Sequence, residues 1–143
     1  MLKGLHPLLG PELLHALAAM GHGDEIGVVD ANFPAAGLGR RVIRLDGVSA
    51  PAVLEALLTL LPLDDFVDHA VTTMAVVGAP SAEPDVVAEF GALASRAEGR
   101  AVARQALPRE QFYERARQAF ALVQSGERRL YGNVLLRKGV VAP

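Results

Sequence analysis

The chain of 143 residues contains no cysteine. Disulfides, thiolate nucleophiles and thiolate metal sites are therefore excluded together, and the composition suits a reducing compartment. Surplus charge is also missing: 14 basic against 16 acidic residues leave a formal net charge of -2, with no basic block. A phosphate backbone has nothing to attract it, so no nucleic-acid partner is expected. Apolar runs fall far short of the roughly 20 residues that a membrane helix needs. Pro7, Gly10, Pro11 and Glu12 interrupt the opening "MLKGLHPLLGPELL", which makes it a poor signal peptide. The expectation is a cytoplasmic protein with no membrane association. G-x-x-x-x-G-K-[ST], a G-x-G-x-x-G run after a strand and G-x-S-x-G are all absent. Histidines 6, 15, 22 and 69 show neither H-E-x-x-H nor H-x-H spacing, so neither a metal nor a cofactor is expected.

What the chain has in excess is apolar surface. Hydrophobic residues make up 51% and mean hydropathy is +0.28, high for so short a chain. Part of that surface is expected to pack against other subunits.

Pro11 opens a helix whose Leu13, Leu14, Leu17, Ala18 and Met20 recur at helical spacing, ended by Gly21 or Gly23. "EIGVVD" and "RVIRL" read as strands, with "ANFPAAGLGR" a loop between them. Ser49 is a candidate N-cap for the helix "SAPAVLEALLTLLPL". "AVTTMAVV" predicts a third strand, "DVVAEFGALASRA" a helix weakened by Gly91, and "RAVARQAL" a short strand. Phe112, Ala116, Ala119 and Val123 predict one long helix through "REQFYERARQAFALVQSGE", and "LYGNVLLRKGV" a closing strand. This alternation predicts an α/β fold: a single three-layer domain over residues 1–143, with a largely parallel or mixed sheet carrying helices on both faces.

The candidate site residues stand at element ends. Asp30 closes the strand "EIGVVD", where open α/β sheets bind ligands, although an aspartate there also serves as a turn or cap residue. Arg109 and Tyr113 share a helix face if the helix begins by residue 109, as an ordinary surface pair would. Tyr131 and Asn133, read as strand residues, project to one side, and Gly132 between them admits a close backbone or ligand. Asp64 follows "LLPL" as a turn or capping residue. His22, between two glycines and next to Asp24 and Glu25, is equally a loop histidine or a proton-handling group. His6, His15 and His69 read as structural or surface residues, and Arg128, Arg129, Arg137 and Lys138 as solvated or interfacial.

The blocks "LLGPELLHALAAMGHGDEIGVVDANFP", "RLDG", "LLPLD", "FYERARQAFALVQSGE" and "LYGNVLLRKGV" follow one another from about residue 2 to residue 140. In that order they resemble the fucose mutarotase and ribose pyranase superfamily, and within it the fucose mutarotases. The resemblance implies a carbohydrate isomerase of the racemase and epimerase class that interconverts the α and β anomers of L-fucose by general acid/base ring opening and closing. D-ribose pyranase activity and a non-catalytic sugar-binding regulatory subunit are the alternatives. The resemblance further implies His22, Tyr113 and Asp64 as the catalytic groups, and Asp30, Met74, Arg109, Tyr131, Gly132 and Asn133 as contacts to the monosaccharide. Asp30 would then neighbour His22 at the carboxyl edge of the sheet and either accept from a sugar hydroxyl or orient the histidine. Neither a metal nor a cofactor is implied, and the assembly that the resemblance implies is a homo-oligomeric ring, typically a decamer, with sites near subunit contacts. The alanine-rich residues 79–108, ending in Pro108 before Arg109, depart from the pattern and bear on sugar preference.

Overall fold

The computed structural model describes residues 1–143. Its elements run α1 (Pro11–Ala19), β1 (Glu25–Val29), α2 (Ala35–Leu38), β2 (Val42–Leu45), α3 (Ala50–Leu58), β3 (Val71–Met74), α4 (Asp85–Glu98), β4 (Arg104–Leu107), α5 (Arg109–Gln118), β5 (Ala121–Ser125) and β6 (Val134–Arg137). Pro11 and Pro51 occupy the first turns of α1 and α3, where a missing N–H leaves no bond unmade. Ser49 does sit at the N-cap of α3, but its hydroxyl makes no capping bond.

The strands form one sheet in the order β2-β5-β1-β6-β3-β4. β2, β5 and β1 run parallel, β3 and β4 run parallel, and β6 is antiparallel to both of its neighbours, β1 and β3. The sheet is therefore mixed, with β6 alone opposing the common direction. The amino end of β6 consequently lies on the same edge as the carboxyl ends of the other strands.

Side chains alternate across the buried strands. Ile26, Val28 and Val123 face a large core shared with α1, α3 and α4, whereas Val29, Leu122 and Leu135 face a smaller one shared with α2 and α5. Helices thus cover both faces, the α/β arrangement that the alternation of elements predicts.

Three local expectations need correction: first, residues 31–40, expected as a loop, include the short helix α2. The helix expected through residue 127 stops at Gln118, and the chain turns into β5, which is buried along its whole length between β1 and β2. Ala119 and Val123 match a helical stripe by spacing alone; they lie in the two different cores. A short apolar run has no periodicity that separates a doubly buried strand from a helix. Likewise, Tyr131 and Asn133 precede β6 rather than lying in it, in a turn where Tyr131 has φ 64° and the Asn133 N–H donates to the Tyr131 carbonyl at 2.8 Å.

Neighbouring positions in α4 should respond oppositely to alanine. Phe90 is fully buried, so Phe90→Ala should destabilise by about 3–5 kcal/mol. A Cβ added at Gly91 meets nothing within 4 Å. Gly91→Ala should therefore stabilise by roughly 0.5–1 kcal/mol. Denaturant unfolding at fixed protein concentration checks both signs.

Candidate functional site

The sheet's carboxyl edge carries a cleft of about 190 Å³ built from four segments. Asp30, just past β1, is buried. Its Oδ1 accepts from the Asn32 N–H at 2.9 Å and its Oδ2 from Asn133 Nδ2 at 2.8 Å, while Asn133 Oδ1 accepts from the Asp30 N–H at 2.8 Å. Burial pushes the Asp30 carboxyl above its ordinary range despite these bonds, and the nearby Glu127 charge adds to the rise.

Met74, the last residue of β3, and Phe33 supply an apolar wall. Arg109 and Tyr113, on the first turns of α5, enter from one helix face, with the Tyr113 ring edge-on to Phe33 at 5.3 Å. The Tyr131 hydroxyl accepts from the Val77 N–H at 3.1 Å, which leaves its own proton to donate. Gly132 lines no part of the cleft; a Cβ there would lie 2.7 Å from Glu127 Cγ. Its smallness admits a neighbouring side chain.

Sequence reasoning overlooked several contributors. Asn32, Phe33, Val77 and Leu130 also line the cleft. Gln124, on β5, holds the segment after Asp30 by donating from Nε2 to the carbonyls of Ala31 and Phe33, and Arg44 in turn donates to Gln124 Oε1 at 2.9 Å. A lone polar residue inside "ALVQS" is a signal that would have been available, because a buried amide needs partners.

His22 and Asp64 stand elsewhere. They lie at the sheet's amino edge, before β1 and beside the end of β6, so β1 separates His22 from Asp30 by on the order of 15 Å at strand rise. The expectation that Asp30 neighbours His22 is corrected: the histidine's partner is Asp64. His22 Nε2 lies 3.2 Å from Asp64 Oδ1, which also accepts from the Phe66 N–H at 3.1 Å, and Arg137 Nε donates to Asp64 Oδ2 at 3.2 Å. Gly23 at φ 86° turns the chain beside the histidine, a conformation that glycine adopts without strain. The His22 ring packs edge-on against Phe66, with centroids 5.6 Å apart. Burial pushes Asp64 up, but the Phe66 N–H, His22 and Arg137 together outweigh it and hold the carboxyl below its ordinary range. Arg137 is thus engaged rather than merely solvated, and Lys138 Nζ donates to the carbonyls of Leu17 and Met20 at the end of α1.

No group of three or more His, Asp or Glu side chains is placed to hold a metal ion, and no helix is long and apolar enough to cross a membrane.

The lowered Asp64 carboxyl has a pH signature. A folded-state pKa below the unfolded one contributes stability that is present above the unfolded value, about 3.9, and lost as pH falls through the folded value. The Tm difference between the parent protein and Asp64→Asn should therefore be widest near neutrality and close below about pH 4. A difference that stays constant from neutral to strongly acidic pH would show that the carboxylate's charge is not what holds His22.

Similar sequences and the same fold occur in known proteins. The chain is 46% identical over 140 residues to the L-fucose mutarotase of Haemophilus influenzae, covering 98% of this chain and 97% of the relative. It is 48% identical over 147 residues to the fucose mutarotase of Homo sapiens, covering 99% and 95%. The crystal structure of the fucose mutarotase from Streptococcus pneumoniae in complex with L-fucose superposes with a TM-score of 0.92 at 40% identity, covering 99% of this chain and 100% of that one. Residues 3–141 match the RbsD / FucU transport protein family, and the chain belongs to that family.

Proposed function

We propose that this protein interconverts the α and β anomers of L-fucose by general acid/base ring opening and closing, in a site that two copies of the chain complete. The reading rests on the carboxyl-edge cleft. There a buried acid locked to an amide, an arginine and two phenols converge beside an apolar wall, in a chain nearly half identical to proteins named L-fucose mutarotases.

Mutarotation needs a base to take the anomeric hydroxyl proton and an acid to protonate the ring oxygen, so that the bond between the anomeric carbon and the ring oxygen breaks to give the aldehyde. Closure on the other carbonyl face returns both protons. No oxidation state changes and no bond to the protein forms. Arg109, Asn133 and the Tyr131 O–H donate to sugar oxygens, and Asp30 accepts from a hydroxyl. Phe33 and Met74 pack against the sugar's 6-methyl. Tyr113 and the His22–Asp64 pair move the protons. With Asp64 accepting from Nε2, a neutral His22 presents Nδ1 as base, and its protonated form presents a donor there.

Within one chain His22 lies too far from the cleft to act, so a second copy must supply it. The exposed side chains support this. His22 is half-exposed, Phe66 beside it is 72% exposed, and Leu130 and Val77 at the cleft rim are 69% and 61% exposed. An amino edge meeting the next copy's carboxyl edge is a contact between two different surfaces, the kind that closes into a ring. The working form is accordingly a cytoplasmic homo-oligomeric ring, a decamer by family resemblance, with a monosaccharide as its ligand and with no metal or cofactor.

Saturation-transfer NMR on equilibrated L-fucose, D-ribose and D-galactose tests the reading. His22→Ala and Tyr113→Phe should each slow L-fucose anomer exchange by about a hundred- to ten-thousand-fold. Unchanged exchange in both variants would sink the assignment, faster turnover of D-ribose would favour a pyranase, and binding without acceleration a regulatory subunit. Co-refolding His22→Ala with Asn133→Ala should restore about a quarter of the sites, because in a random ring one contact in four joins an intact histidine to an intact cleft. A mixture as inactive as its components would place the whole site in one copy.

A further inference from the structure

Residues 126–133, between β5 and β6, deliver Tyr131 and Asn133 to the cleft, and they fold around an ion pair that the proposed reaction does not use. Glu127 is only 4% exposed. Its Oε1 accepts from the Arg129 N–H at 3.0 Å and from Arg129 Nε at 2.9 Å, and its Oε2 from Arg129 Nη2 at 3.0 Å. Arg129 continues to α4, donating from Nη1 and Nη2 to Glu89 at 2.7 and 3.3 Å.

Glu127 touches the chain on both sides of the Asp30–Asn133 junction. The Glu127 carbonyl accepts from the Ala31 N–H at 2.9 Å, one residue after Asp30. Its side chain fills the space beneath Gly132, where a Cβ would lie 2.7 Å from Glu127 Cγ and 3.5 Å from Asp30 Cβ. Tyr131 has φ 64°, the one non-glycine residue in the left-handed region, and such a conformation persists only where its surroundings over-determine it. Besides Asp30, which accepts from Asn133, and Glu89, which accepts from Arg129, no other charged side chain is bonded into this turn.

We propose that Glu127 and Arg129 are positioning residues: their ion pair holds the turn of residues 130–133 in the one conformation from which Tyr131 and Asn133 meet the sugar, without itself touching it. This rests on the mutarotase reading above. The Arg129 guanidinium holds the Glu127 carboxyl below its ordinary range, so the pair stays charged at neutral pH. The fork geometry matters as well as the charge, since Arg129 bonds through its main chain and two side-chain nitrogens at once.

The test is a double-mutant cycle on L-fucose exchange. Glu127→Gln, Arg129→Met and Arg129→Lys should each lower kcat/KM about tenfold or more, chiefly through KM, as expected when hydrogen bonds to substrate are misplaced. Lysine should fail to rescue, because it restores the charge but not the fork. Combining Arg129→Met with Tyr131→Phe should cost much less than the product of the single losses, since both act through one turn. Glu89→Gln, which touches only the outer end of the half-exposed arginine, should change kcat/KM by less than about threefold. Losses that multiply fully, or variants within twofold of the parent while folded and assembled, would overturn the proposal. A folding defect in Arg129→Met leaves Arg129→Lys and Glu127→Gln to decide. If the parent binds L-fucose without accelerating exchange, the mutarotase reading fails, and the same cycle read as Kd decides this one; a parent that does neither overturns both.

Discussion

Two hydrogen bonds of 2.8 Å tie Asp30 to Asn133, one from the Asp30 main chain to the amide oxygen and one from the amide nitrogen to the carboxylate. They join the end of β1 to the start of β6, two adjacent antiparallel strands, across the edge where the sheet would otherwise present loose polar groups. Each partner satisfies the other's buried polar atoms, which is what makes burial of a carboxylate tolerable there. The cleft is arranged around this junction. Asn32 and Phe33 follow from one side of it, Leu130 and Tyr131 arrive from the other, and Arg109 and Tyr113 close it from α5.

The junction exists because β6 runs against the other strands. In an all-parallel sheet the amino end of β6 would fall on the opposite edge, and the segment carrying Tyr131 and Asn133 would be a sheet's length from Asp30. A single reversed strand therefore gathers an acid, an amide and a phenol from positions about a hundred residues apart in the chain, onto the edge where open α/β sheets bind their ligands.

The same topology divides the polar residues. His22 and Asp64 occupy the amino edge, clamped by Arg137 and by main-chain bonds between the turn at Gly23 and Lys138. The proposed sugar contacts occupy the carboxyl edge. A proton-transfer group cannot act across the length of a strand, so the two edges belong to one reaction only if copies of the chain are set edge to edge. The excess apolar composition then has a place in Phe66, Val77 and Leu130, exposed on the chain alone and suited to a subunit contact.

Much of this was legible in the residues. The alternation of helical and extended patterns determined the α/β class, and strand-end placement singled out Asp30 before any coordinates. Ordered blocks such as "GHGDE" and "LYGN" determined the family. The sequence could not separate β5 from α5, because "ALVQS" is buried on both faces and carries no period. Nor could it show that Arg129 and Arg137 are held by buried carboxylates, since basic residues near a chain's end read the same whether solvated or paired. Composition and local pattern determined what kinds of element form and which residue types stand at their ends. Only the tertiary structure decided that His22 belongs with Asp64 and Asp30 with Asn133, because strand order and direction are long-range properties, and pairing across the sheet places a residue on one edge or the other.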